Sequence, residues 1–168
     1  MIIGVDRAGD EGNFPMYYVA AELKDGSLIR AVTDLVNERD PRKGMKRELK
    51  STDLKDEELQ YLLDNFKDNF RYEEVQGREL KKFKESHANE SRISEKFAYK
   101  CYREVLRKIV KPGDEVWLCR DLDPDSMKNI RFKLGINLKI TVKLSNHEGN
   151  VVIADWIAGA LKRNLKKN

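Results

Sequence analysis

Val151-Val152-Ile153-Ala154-Asp155-Trp156-Ile157-Ala158-Gly159-Ala160-Leu161 reads as a helix that is apolar nearly all round, with one carboxylate in it. A helix of that kind is buried. A carboxylate among buried-type side chains is costly unless something pairs with it. Two further aspartates close apolar runs that read as strands: Asp6 follows Ile2-Ile3-Gly4-Val5, and Asp121 follows Val116-Trp117-Leu118-Cys119-Arg120. Three carboxylates far apart in sequence, at or near element ends, are what a divalent-metal site requires.

Working outward, Met16 to Leu23 reads as a second strand after the turn Asp10-Glu11-Gly12-Asn13. Lys24-Asp25-Gly26-Ser27 reads as a hairpin connection, so that Leu28 to Val36 becomes the third strand of an antiparallel meander. Leu54, Leu59, Leu62, Leu63 and Phe66 carry a helical spacing, and Phe70 to Gln76 reads as a short strand. Ser94 to Val110 is the clearest helix of the middle, ended by Pro112-Gly113. Then come a strand at 115–121, a helix at 124–134, a strand at 136–144 and the closing helix at 150–165. The expected fold is α/β: a mixed sheet of three antiparallel strands followed by parallel ones, helices on both faces, and a helical insertion between strands three and four. Residues 1–168 read as a single domain, with 39–93 the candidate for an inserted helical lobe.

The totals narrow the class. Hydrophobic residues at 40% can support one core, while charged residues at 37% describe a heavily charged surface. A net charge of +4 is compatible with nucleic acid without requiring it. No apolar run is long enough to cross a bilayer, and the N-terminus lacks the basic leader and apolar length of a signal peptide. Cys101 and Cys119 are the only cysteines and lack metal-type spacing, which points to the cytoplasm and away from disulfides or a cysteine-built zinc site. There is no nucleophile-elbow motif and no phosphate-binding glycine loop with its lysine.

The two ends of the chain carry a resemblance. Gly4-Val5-Asp6-Arg7-Ala8-Gly9, followed by the strand from Pro15 to Ala21, resembles the G-[IV]-D-E-A-G opening of type 2 ribonuclease H. It is also similar to the D-E-S-G opening of a large, functionally unassigned prokaryotic family of ribonuclease-H-like proteins. The segment from Ile153 to Arg163 resembles that family's closing A-D-[LW]-[IV]-A-G-A motif more specifically. The chain departs from both at Arg7, where both families carry glutamate, a metal ligand in the type 2 enzymes. Neighbours on a strand face opposite sides, so Arg7 is expected to point away from Asp6.

The resemblance implies a ribonuclease-H-like fold and a metal-dependent nuclease or related phosphoryl-transfer enzyme. Asp6 would be the central bridging ligand, Asp121 would come from the adjacent strand and Asp155 from the last helix. Asp123 is the substitute should Asp121 only cap a turn. Hard oxygen ligands suit Mg²⁺ or Mn²⁺. Among helix-start acids, Glu79 ranks ahead of Glu48 and Glu95 as a fourth ligand. His147, in the loop before the last helix, matches a histidine that first-type ribonucleases H carry in the equivalent loop, suited to acid or base work. Lys162, Arg163 and Lys166 are the candidate contacts to nucleic acid, RNA or DNA. The competing expectation, motivated by Arg7, is a catalytically inactive module of the same fold that binds nucleic acid or protein.

Overall fold

The computed structural model describes residues 1–44, 49–118, 139–142 and 149–168. Strand β1 (Ile2–Ala8) turns through Gly9 into β2 (Met16–Glu22). Gly9 has φ +91, and a Cβ there would lie 3.0 Å from the Asn13 carbonyl, so both backbone conformation and space demand glycine. Then follow α1 (Ser27–Arg39), the short α2 (Pro41–Gly44), a 3-10 turn (Ser51–Asp53) and α3 (Asp56–Asn65). Strand β3 (Phe70–Val75), α4 (Gly77–Ser86), α5 (Ile93–Arg107), β4 (Glu115–Leu118), β5 (Lys139–Val142) and α6 (Gly149–Lys162) complete the order.

The five strands form one sheet in the order β3-β2-β1-β4-β5. β1 and β3 both pair antiparallel with β2, whereas β1–β4 and β4–β5 are parallel. The expected three antiparallel strands followed by parallel ones are therefore present, but the third is Phe70–Val75. Leu28–Val36 is helical instead. Ile29, Val32 and Val36 recur at three- and four-residue spacing, which puts them on one helix face; Val32 and Val36 are fully buried. The helical elaboration accordingly falls on both sides of β3, with α1 to α3 before it and α4 and α5 after it. The stretch 39–93 contributes β3 to the sheet and Leu59, Leu62 and Leu63 to a core shared with α6. The expected helix at 124–134 lies outside the described residues.

Alternation along the strands separates two cores. Ile3 and Val5 of β1, with Met16, Tyr18 and Ala20 of β2, pack against α4 and α5. Val19 and Ala21 face the other way, onto α1, α3 and α6. α6 lies across β1 and β2, and its Ile153, Ala154, Ile157, Ala158 and Ala160 are fully buried. Small residues on this helix let it sit close on the sheet.

Candidate metal and nuclease site

Asp6 is next to the last turn-facing residues of β1, and its side chain is buried, at 7% exposure. It stands opposite Val19, which belongs to the α6-side core. Directly paired residues of an antiparallel ladder share a face. Asp6 therefore points to the side that α6 covers. Its Oδ1 accepts the Arg7 N–H at 2.8 Å. Arg7 stands opposite Tyr18, of the α5-side core, so the two neighbours face opposite sides of the sheet, as their positions on a strand require. On that other face Arg7 borders a cavity of about 390 Å³ with Glu11, Tyr18, Tyr99 and Tyr102.

Asp155 belongs to α6, which lies across β1, so both carboxylates occur on one side of the sheet. Its carboxylate is held by the 3-10 turn: Ser51 N–H donates to Oδ2 at 3.0 Å and Ser51 Oγ to Oδ1 at 3.4 Å. Trp156 Nε1 donates to the Leu49 carbonyl at 2.8 Å. Arg163 donates from Nη2 to the Ser51 carbonyl at 2.9 Å and from Nη1 to the Leu54 carbonyl at 2.7 Å. One face of α6 thus straps the segment 49–54 along its length. Ser51 carries no motif signal and was not expected from the sequence; the glycine four residues after Asp155 was the only trace of it.

Three of the expected site residues are engaged elsewhere in the structure. Glu79 is not with Asp6 and Asp155. Its Oε2 accepts the Gln76 N–H at 2.7 Å, closing a capping box at the start of α4, and α4 packs on the opposite face of the sheet. A first-turn glutamate three residues after the N-cap is well satisfied there. Lys162 Nζ donates to the carbonyls of Asn13 and Pro15, at 2.8 and 2.6 Å, tying the β1–β2 turn to α6. Arg163 is spent on the strap and on Asp56, at 3.1 Å. Of the expected phosphate contacts only Lys166 is an exposed side chain. Glu95 is an exposed residue in the first turn of α5. Asp121, Asp123, Glu48 and His147 lie outside the described residues. β4 is described as far as Leu118, which stands opposite Val5, the neighbour of Asp6.

Among the described residues, no three His, Cys, Asp or Glu side chains stand together as a metal-holding group. Asp6 and Asp155 offer a hard, all-oxygen donor pair, the chemistry that fits Mg²⁺ or Mn²⁺. Among the described residues no helix is long and apolar enough to cross a membrane.

No family model and no curated protein matches the chain. Solved structures do match it. Ribonuclease HII of Archaeoglobus fulgidus, seen in its complex with PCNA, has a TM-score of 0.66 over 98% of this chain and 72% of that one, at 15% identity. Ribonuclease H2 of Pyrococcus horikoshii has a TM-score of 0.67 over 97% of this chain and 72% of that one, at 17% identity. The fold is ribonuclease-H-like. At these identities the likeness is one of fold.

Proposed function

We propose that this chain is a metal-dependent nuclease, or a related phosphoryl-transfer enzyme, acting on RNA or DNA as a single cytoplasmic domain. The observation that carries the reading is Asp6: a buried carboxylate late in a central strand, facing the same side as the helix that bears Asp155. Burying a carboxylate is expensive unless it is hydrogen-bonded or paired with a cation, and a divalent metal ion is one such partner. In this reading Asp6, Asp155 and Asp121 hold Mg²⁺ or Mn²⁺, and His147 exchanges protons near the reacting phosphate. The bound ion would supply Lewis-acid stabilisation of charge on the phosphate and activation of water. The likeness of the closing A-D-W-I-A-G-A segment to the prokaryotic ribonuclease-H-like family supports Asp155, as does the fold shared with two archaeal ribonucleases.

The test is cleavage of labelled RNA, DNA and RNA–DNA hybrid with Mn²⁺ or Mg²⁺. Asp6→Asn and Asp155→Asn are expected to lower the rate roughly a hundredfold or more, because a metal ion contributes several kcal/mol to such a transition state. Arg7→Ala is expected to stay within about twofold of wild type, because Arg7 faces the other side of the sheet. A wild-type chain that cleaves nothing and binds no Mn²⁺ sinks the reading. The second reading, an inactive binding module, then takes its place. It is favoured by Arg7, which stands where the type 2 enzymes carry a ligand.

A further inference from the structure

We infer that Ser51 is a positioning residue for Asp155, and that Gly159 is glycine to let it reach. The inference rests on the reading of Asp155 as a metal ligand and names what aims it. Asp155 and Gly159 are four residues apart on α6, so they lie on one face, one above the other. Ser51 sits over both. A Cβ built on Gly159 would lie 2.3 Å from Ser51 Cβ and 2.6 Å from its Oγ, closer than any real contact allows. Any side chain at 159 therefore lifts the turn away from the helix. With glycine there, Ser51 comes down far enough for its N–H and hydroxyl to reach one carboxylate oxygen each.

The turn is pinned on both sides of that contact. Trp156 holds the Leu49 carbonyl, and Arg163 holds the carbonyls of Ser51 and Leu54. Ser51 is thus gripped at its own carbonyl and, through its N–H, grips Asp155. A carboxylate offers about four acceptor directions, and two donors from one residue fix its plane while occupying about half of them. A metal ligand fixed in plane and direction by groups that do not touch the ion is the arrangement that raises affinity, and losing such support typically lowers it 10–100-fold.

The experiment is an EPR titration of the full chain with Mn²⁺, alongside melting temperatures without metal. Ser51→Pro removes the N–H donor. Proline is acceptable at the first position of a helical turn, and Lys50 before it is already extended, at φ −85 and ψ 157. Gly159→Ala displaces the turn and leaves the chemistry of both Asp155 and Ser51 unchanged. Val105→Ala, a buried site on α5 in the core of the opposite face of the sheet, serves as a control for lost stability. Ser51→Pro and Gly159→Ala should weaken Mn²⁺ binding by about 10–100-fold. Val105→Ala should leave it within about twofold at an equal or lower melting temperature, since it lies on the other face of the sheet from Asp155 and Ser51.

Should Ser51→Pro or Gly159→Ala fail to fold, Ser51→Ala decides: it loses only the longer hydroxyl contact and keeps the N–H donor, and should weaken binding about threefold or more, less than the loss of the whole support. Folded variants that bind Mn²⁺ like wild type overturn the inference and leave the metal site standing. Wild type that binds no Mn²⁺ overturns the metal reading of Asp155, and the role of Ser51 with it.

Discussion

The two faces of the sheet treat their polar atoms in opposite ways. On the α6 side, the Trp156 indole, the Asp155 carboxylate, the Arg163 guanidinium and the Glu58–Arg39 pair are each joined to the strap by hydrogen bonds. On the α5 side, the hydroxyls of Tyr18 and Tyr99 are buried with no hydrogen-bond partner among the described residues, and two cavities of about 390 and 400 Å³ open beside them and beside Cys101. Burial pushes the Cys101 thiol and the Tyr18 phenol each up to about 12. A buried polar network that is fully satisfied rigidifies its surroundings, whereas orphaned groups cost stability wherever they occur. The difference teaches that the α6 side is built to hold groups in place, and that is the side to which Asp6 points.

The largest effect should come from breaking the strap at its anchor. Trp156 is 1% exposed and joins the core of α1, α3 and α6 to the Leu49 carbonyl. Trp156→Ala should cost about 3–5 kcal/mol, from the emptied volume together with the carbonyl left without its donor. Chemical denaturation measures it. A loss below about 1 kcal/mol would mean that the α6 side is no better held than an ordinary surface.

A smaller effect, with a pH signature, is expected at Glu58. Burial raises the affinity of this carboxyl for a proton. The two hydrogen bonds from Arg39, at 2.6 and 2.9 Å, and the Lys55 N–H at 2.7 Å outweigh burial and hold it below the usual carboxylate value. The unfolded chain protonates this group near pH 4.3 and the folded chain only at lower pH, so its contribution is complete above that value. It fades as pH falls through the folded value. Glu58→Gln should therefore lower the melting temperature at pH 7 and by progressively less towards pH 3. A gap that stays constant with pH would show that the charge of Glu58 contributes nothing.

Much of this contrast between faces was legible in the sequence, and the remainder has identifiable physical causes. Alternation along Ile2–Ala8 was enough to send Asp6 and Arg7 to opposite sides. The apolar run of α6 marked a buried helix with a carboxylate that had to be held. The third antiparallel strand was misplaced because Leu28–Val36 is rich in β-branched residues, yet its apolar positions recur with helical spacing. The Glu79 assignment overlooked a local signal: Gln76 with glutamate three residues on is a capping-box pattern, and the cap took the carboxylate. Ser51 could not be read at all. Its partner is 104 residues away, and only the close approach at Gly159 discloses the contact. Lys162 and Arg163 carry charge that suits phosphate, but at the end of a buried helix nearby backbone carbonyls claimed both.

The smallest effect should be found at Tyr18, on the other face. The residue is fully buried, its ring packs edge-on against Tyr102 at 4.9 Å, and its hydroxyl finds no hydrogen-bond partner among the described residues. The Cys101 thiol and the Arg7 guanidinium lie close enough to influence its ionisation. Tyr18→Phe keeps the ring and its edge contact and deletes only the orphaned oxygen. Removing an unsatisfied buried group is neutral or favourable, so the variant should be as stable as wild type or up to about 1 kcal/mol more stable. The same substitution logic on the α6 side would be costly, because both carboxylate oxygens of Asp155 and of Glu58 have donors. A loss of more than about 1 kcal/mol in Tyr18→Phe would show that the hydroxyl is held after all, most directly by Arg7, and the two faces would then be alike in how they satisfy polar groups.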